Sequence, residues 1–167
     1  DYEIKDLRNN IGVVLQENIL FSGTIESNIK FGNNEATLKE MINSAKDSQA
    51  LEFIESKENK FKEKVEQRGR NLSGGQKQRL SITRTLVRNN KILIMDDSSS
   101  ALDMKTQEKL QNAINNREKK ETIITIAQRI SAVKDCDKII VLDEGRISNI
   151  GTHKELLKSN EIYRSIA

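Results

Sequence analysis

The chain has 167 residues, 35% hydrophobic and 32% charged, with 28 Lys and Arg against 25 Asp and Glu for a net charge of +3. That length suits one domain, or one core with an inserted subdomain, under a heavily solvated surface. The mild, interleaved charge, with four Phe, two Tyr and no Trp, argues against a nucleic-acid-binding face; the single cysteine, Cys136, excludes an internal disulfide and a cysteine-based zinc site and is consistent with a reducing compartment; and no apolar run approaches the ~20 residues of a membrane-spanning helix.

The chain opens on a polar stretch, Asp1 to Asn10, without a helix cap. Ile11-Gly12-Val13-Val14-Leu15 is a short apolar run rich in β-branched residues and reads as a buried strand. It ends at the polar cluster Gln16-Glu17-Asn18, on the end of an open α/β sheet where ligands bind. Leu20 to Ile25 reads as a compact apolar turn, and Glu26 to Phe31 as a short helix closed by Gly32. Thr37 and Glu40 form a T-x-x-E capping box. Leu38, Met41, Ile42 and Ala45 make an apolar stripe behind it, and Leu51, Phe53 and Ile54 resume the stripe after a break near Asp47-Ser48. Lys57 to Lys64 reads as a charged connector.

Asn71-Leu72-Ser73-Gly74-Gly75-Gln76 then opens a helix running to Val87, with Leu80, Ile82 and Leu86 inward. Helix starts leave N–H groups without intrahelical partners and carry partial positive charge, so a glycine-rich start is an anion site. The same residues also spell an S-x-x-Q capping box, which implies no ligand. A second strand, Ile92 to Met95, ends in Asp96-Asp97 and the turn Ser98-Ser99-Ser100. Ala101-Leu102-Asp103 leads into a helix through about Asn116, and Arg117 to Lys120 reads as a solvated helix end. A third strand, Thr122 to Ala127, ends at Gln128, with a short helix expected over Arg129 to Val133. Lys138 to Leu142 and Arg146 to Ile150 form a hairpin across Asp143-Glu144-Gly145. Thr152 and Glu155 cap a final helix on which His153 is read as a surface residue. Strands alternating with helices imply an α/β fold with a mostly parallel sheet. The helices-only stretch Glu26 to Arg70 looks like an insertion.

An apolar strand ending in two acids suits Mg²⁺ and phosphoryl transfer, though Asp-Asp-Ser is also ordinary turn chemistry. Taken together, these pieces resemble the nucleotide-binding domain of ABC transporters. Leu72 to Gln76 match the signature motif, Gln16 the Q-loop glutamine, Ile92 to Asp96 the Walker B strand, and Ser100 to Asp103 the D-loop. Leu20 to Ile25 and Gly151 to Leu156 look like the multidrug or lipid exporter branch.

The resemblance implies a P-loop NTPase (RecA-like) fold, with a partial core in residues 1–25, a helical subdomain in 26–90 and the remaining core in 91–167. It implies ATP as ligand and Mg²⁺ held through Asp96 and Gln16. It assigns Asp97, Gln128 and Gln16 to catalysis, and Ser73, Gly74, Gly75, Gln76 and Asp103 to a nucleotide held by a second, non-identical domain. The expected setting is the cytoplasmic side of a membrane, tethered through transmembrane domains and without nucleic acid. A soluble ABC-type ATPase in translation or repair, and a non-catalytic interaction module, are the alternatives.

The sequence departs from the family pattern in four places. The Walker A loop, G-x-x-x-x-G-K-[ST], does not occur in these residues, so the isolated chain is expected to be inactive. The family's catalytic Glu is Asp97, whose carboxylate is a methylene shorter; misplacement of a positioned group costs about 100-fold. The switch histidine is Gln128, and Gln67 stands where exporters often carry Glu. Asp97 and Gln128 together resemble the degenerate half of an asymmetric exporter, neutral drift being the alternative.

Overall fold

A computed structural model describes residues 2–98, 101–117 and 121–166. They form two units, one ending at Ile126 and the other beginning at Ala127. No helix among the described residues is long and apolar enough to cross a membrane.

The first unit carries a three-stranded parallel sheet in the order β1-β4-β5. Its strands are β1 (Ile11–Val14), β4 (Ile92–Asp96) and β5 (Thr122–Ile126). Val14 pairs with Met95 and Asp96 with Ile126, so β1 and β4 end side by side. Alternate strand residues point to opposite faces. Val14, Leu93 and Met95 face a core completed by Ile82, Leu86, Leu102, Leu110 and Ile114. Val13, Ile124 and Ile126 face the other way and are 44%, 47% and 52% exposed. The expected strands therefore form, but they are covered on one face only, because the described helices packing on the sheet all lie on the same side. Gly12 is required by close approach, since a Cβ there would overlap the Asn90 and Thr85 side chains.

Between β1 and β4 lie α2 (Ile25–Lys30), α3 (Leu38–Asp47), α4 (Leu51–Glu55) and α5 (Gly74–Leu86). A small antiparallel pair, β2 (Gly23–Thr24) with β3 (Lys64–Val65), ties the entrance and exit of this region together. Capping boxes start three of these helices: Thr24 with Ser27, Thr37 with Glu40, and Ser73 with Gln76. Leu20, Ile25, Ile29, Met41, Ala45, Phe53, Ile54, Val65, Leu72, Leu80 and Val87 make a second core. Leu38 is an exception to the expected stripe: it sits in the first turn of α3, outside that core, and is 57% exposed. The charged connector holds a short 3₁₀ turn at Lys60–Lys62, and its Phe61 packs against the core.

Arg84 fastens α5 to the segment that follows β1. Its guanidinium donates to the Ile19 carbonyl, the Asn28 carbonyl and Asn28 Oδ1, each at 2.9 Å. It also lies 5.3 Å from the Phe21 ring and 5.8 Å from the Phe31 ring, a cation–π arrangement. Burial lowers its pKa from the ordinary arginine value. Arg117 departs from the expected solvated helix end. It follows α6 (Met104–Asn115), and its side chain is only 11% exposed. It faces Asp47 at 3.6 Å and Glu121 at 3.8 Å and donates to the Leu86 carbonyl. Two acids and a carbonyl make burial of this cation tolerable. Burial raises the Asp47 pKa, while Arg117 and then Lys46 pull it down. The rest of that expected cluster, residues 118–120, lies outside the described residues, as do Ser99 and Ser100 of the expected turn. At the other end the structure departs from the uncapped polar reading: α1 (Ile4–Asn10) forms there, without a side-chain cap.

The second unit is built on the hairpin of β6 (Ile139–Asp143) and β7 (Arg146–Gly151). Glu144 and Gly145 both take positive φ, 44° and 75°, as a tight hairpin turn with right-handed strand twist demands. The expected final helix is two: α7 (His153–Ser159), with the Thr152–Glu155 capping box, and α8 (Glu161–Ser165), whose cap is Asn160. Ile130, Ile139, Val141, Leu156 and Tyr163 form the core of this unit. The helix expected over Arg129 to Val133 is a single 3₁₀ turn, Ile130–Ala132. His153 is half-buried rather than a plain surface residue, with Nδ1 2.8 Å from the Tyr163 hydroxyl. Cys136 is half-buried, and burial, then Asp137 and Asp135, push its thiol pKa up.

Arg84→Lys is expected to destabilise the first unit by about 2 kcal/mol, measured by urea unfolding. An ammonium carries the charge but cannot serve two carbonyls and an amide from one planar fork.

Candidate functional site

The paired ends of β1 and β4 bring Gln16 next to Asp96 and Asp97. Gln16 is exposed and its Nε2 lies 3.5 Å from Asp97 Oδ2, at the outer limit of a hydrogen bond. Asp97 leaves the strand with φ at 42°, in the left-handed region that Asp tolerates better than most residues. Its N–H still donates to the Ile126 carbonyl at 2.9 Å, so the bend stays fixed to β5. Both acids are half-buried. The chain thus presents a carboxamide and two carboxylates at the end of the sheet where α/β folds bind ligands. Gln128 belongs to the second unit, where it is exposed and lines a shallow depression with Arg129, Lys134 and His153.

Ser73 caps α5. Its Oγ accepts the Gln76 N–H at 3.3 Å, and Gln76 Oε1 accepts the Ser73 N–H at 3.1 Å. The capping box anticipated from sequence is therefore present. It occupies the Ser73 and Gln76 N–H groups and leaves the first-turn N–H groups of Gly74 and Gly75 without intrahelical acceptors. A capping box and an anion site are thus compatible at one helix start. The loop entering it is fixed by Asn71, which accepts from the Glu66 N–H at 3.0 Å and donates to the Lys64 carbonyl at 2.7 Å. Gln67 is exposed in a short 3₁₀ turn of that loop.

Asp103 is exposed and caps α6. Its carboxylate accepts the Thr106 N–H at 2.9 Å and the Thr106 hydroxyl at 2.7 Å. The Thr106 side chain first, then its backbone, hold the Asp103 carboxyl below the ordinary aspartate value. Two residues beside the glycine pair escaped the sequence reading. Arg79 donates to the Gly75 carbonyl at 3.2 Å and the Gln49 carbonyl at 2.9 Å, over the Phe53 ring. Gln78 is fully buried and its Oε1 accepts the Ala101 N–H at 3.1 Å. The signal for Gln78 was its spacing: it stands four residues before Ile82, on the inward face of the helix, where an apolar residue is ordinary.

A family model described as ABC transporter matches residues 1–100 of this chain. The chain belongs to the ABC transporter family. Among its relatives, the uncharacterized ABC transporter ATP-binding protein YknU of Bacillus subtilis (strain 168) is 46% identical over 166 residues, covering 99% of this chain and 28% of that protein. The ATP-dependent lipid A-core flippase of Pasteurella multocida (strain Pm70) is 41% identical over 167 residues, covering 99% of this chain and 29% of that protein. The ATP-bound structure of a bacterial Atm1-family ABC exporter superposes with a TM-score of 0.93 at 38% identity, over 97% of this chain and 29% of that one. The chain therefore spans under a third of the length of these relatives. The mixed α/β architecture with its parallel sheet is the P-loop NTPase fold of this family.

Thr106→Val removes the hydroxyl donor to Asp103. The Asp103 carboxyl, followed by NMR titration, is expected to move up toward the ordinary value. A depressed carboxylate contributes stability that is complete above its unfolded pKa and lost as pH falls through the folded one. Because the unfolded value is unchanged, the stability that Asp103 loses on acidification should be smaller in Thr106→Val than in the parent, and that loss should be complete at a higher pH.

Proposed function

We propose that this chain is part of the ATP-binding, ATP-hydrolysing component of a membrane exporter. The observation that carries the reading is the convergence of Gln16, Asp96 and Asp97 at one sheet end in a chain of this family. Asp97 accepts a proton from, and orients, the water that attacks the γ-phosphate of ATP. Gln16 shares that water through its amide. Gln128 donates its amide N–H to the γ-phosphate. The donor chemistry at the strand ends, a carboxylate and a carboxamide oxygen, fits a hard cation, and Asp96 and Gln16 would hold Mg²⁺. When bound, the ion supplies charge neutralisation on the phosphates.

The division that follows from this reading is a partial RecA-like core in 1–25, a helical subdomain in 26–90 and the remaining core in 91–167. The apolar clusters of the first unit cross its boundaries: Leu20 and Ile25 pack with the helical region, and Ile82 and Leu86 with the sheet. Gly74 and Gly75 turn their free N–H groups, framed by Ser73 and Gln76, to ATP bound by a second, non-identical nucleotide-binding domain, with Asp103 beside them. Asp97 and Gln128 make this subunit's own site the weaker one. The lipid A-core flippase and the Atm1-family exporter among the relatives support export as the process. Ile19, Phe21 and Phe31, exposed by 55%, 44% and 66%, form an apolar patch shortly after Gln16. Such a patch suits a protein partner, and we assign it to the transmembrane domains that tether the subunit on the cytoplasmic side.

In the assembled transporter, Asp97→Glu combined with Gln128→His is expected to raise ATP turnover, by about 100-fold at this site if the shortened carboxylate is the limiting defect. An unchanged steady-state ATPase rate would count against the weak-site assignment. The 167-residue polypeptide alone, which has no G-x-x-x-x-G-K-[ST] sequence, is expected to release no phosphate from ATP in a coupled assay.

A further inference from the structure

We propose that Gln78 is a positioning residue that locks residues 101–103 onto the first turn of α5, so that Ser73–Gln76 and Asp103 meet a nucleotide as one rigid piece. The inference rests on the ATPase reading above.

Gln78 is fully buried, yet only one end of its amide is satisfied. Its oxygen accepts the Ala101 N–H at 3.1 Å, while its Nε2 is buried without a partner among the described residues. An unpartnered buried donor costs free energy that an apolar residue at the same place would not. Retention of the amide therefore points to what its oxygen does. Gly75 lies three residues earlier, on the same face of α5. A Cβ at Gly75 would stand 3.3 Å from the Ala101 carbonyl oxygen and 3.8 Å from Leu102. The absence of a side chain there lets the loop lie directly on the helix. Ala101 is thus held twice, its N–H by Gln78 and its carbonyl against Gly75. Leu102 follows into the sheet core with Ile82 and Leu86. Asp103 comes next and starts α6. Arg79, adjacent to Gln78 on α5, is close enough for its charge to feel that of Asp103. The glycine pair and Asp103 come from segments far apart in sequence, and the Gln78–Ala101 bond fixes their relative position. A shift of about 1 Å between such groups is enough to cost 100-fold in a positioned reaction.

The test uses the assembled transporter with the full-length subunit, comparing Gln78→Met, which keeps the bulk and loses the acceptor, with Gln78→Glu, which keeps an acceptor oxygen. Gln78→Met is expected to speed amide hydrogen exchange across residues 101–103 and to lower ATP turnover roughly five- to tenfold, the weight of one hydrogen bond. Adding Asp103→Asn should then lower turnover little further than Asp103→Asn alone, because both changes act through one loop. Gln78→Glu should recover most of the turnover. If Gln78→Met does not fold, Gln78→Asn, polar but a methylene too short to reach Ala101, takes its place with the same expected results. Parent-like turnover and exchange in the acceptor-less variant, or losses that multiply independently with Asp103→Asn, would overturn the proposal. An intact transporter without any ATPase activity overturns the ATPase reading and this inference together, whereas an active one indifferent to Gln78 overturns this inference alone.

Discussion

Helix α5 is buried on two sides, and the first unit is organised by that constraint. Leu80 and Val87 belong to the core of the helical region, and Ile82 and Leu86 to the core under the sheet. A helix shared by two cores cannot rotate or slide without disturbing both, because interiors are close-packed. Its polar residues are therefore placed as firmly as its apolar ones. Thr83 bonds to buried Ser48, Arg84 reaches the segment after β1, and Arg79 reaches the turn after α3. The glycine-rich start of the helix inherits this rigidity. The phosphate-binding role proposed for this turn needs N–H groups fixed in space before the ligand arrives, and α5 supplies that fixation from behind.

The sequence was legible where local chemistry decides structure. The capping boxes at Thr37, Ser73 and Thr152 lie where their spelling puts them, because a side chain three residues from its partner needs no tertiary help. The parallel strands were equally plain from β-branched apolar runs. What escaped was set by long-range packing. Period-2 alternation gives two faces but does not say which one a helix will cover, so the strand pattern of Thr122 to Ala127 did not foretell that Ile124 and Ile126 stand exposed. Arg117 reads as the tip of a helix and is buried, because Asp47 and Glu121 converge on it from distant and neighbouring positions alike. The split of the last helix at Asn160 follows the same logic. Asn160 has an extended backbone and donates to Ser148 on the hairpin, a contact no window of sequence contains.

The candidate site was legible in composition more than in geometry. Gln16 and Asp97 are 81 positions apart and meet because β1 and β4 pair in register. The left-handed bend at Asp97 could not be anticipated, since nothing in Asp-Asp-Ser distinguishes it from an ordinary turn. The glycine pair illustrates a different limit. Two readings competed for the same residues, yet a capping box consumes only part of the N–H supply of a helix start, so both can hold at once.

The chemistry of Cys136 has a practical side. It is the only thiol in the chain, and burial beside two aspartates keeps it from ionising readily. Thiolate, not thiol, reacts with maleimides and iodoacetamides. Within this chain Cys136 therefore reacts more slowly with such reagents than an exposed thiol of ordinary pKa. A cysteine placed at exposed Arg146, beside the hairpin tip, would stand out against it. Spectroscopic probes could then be attached at that one chosen point with Cys136 left in place.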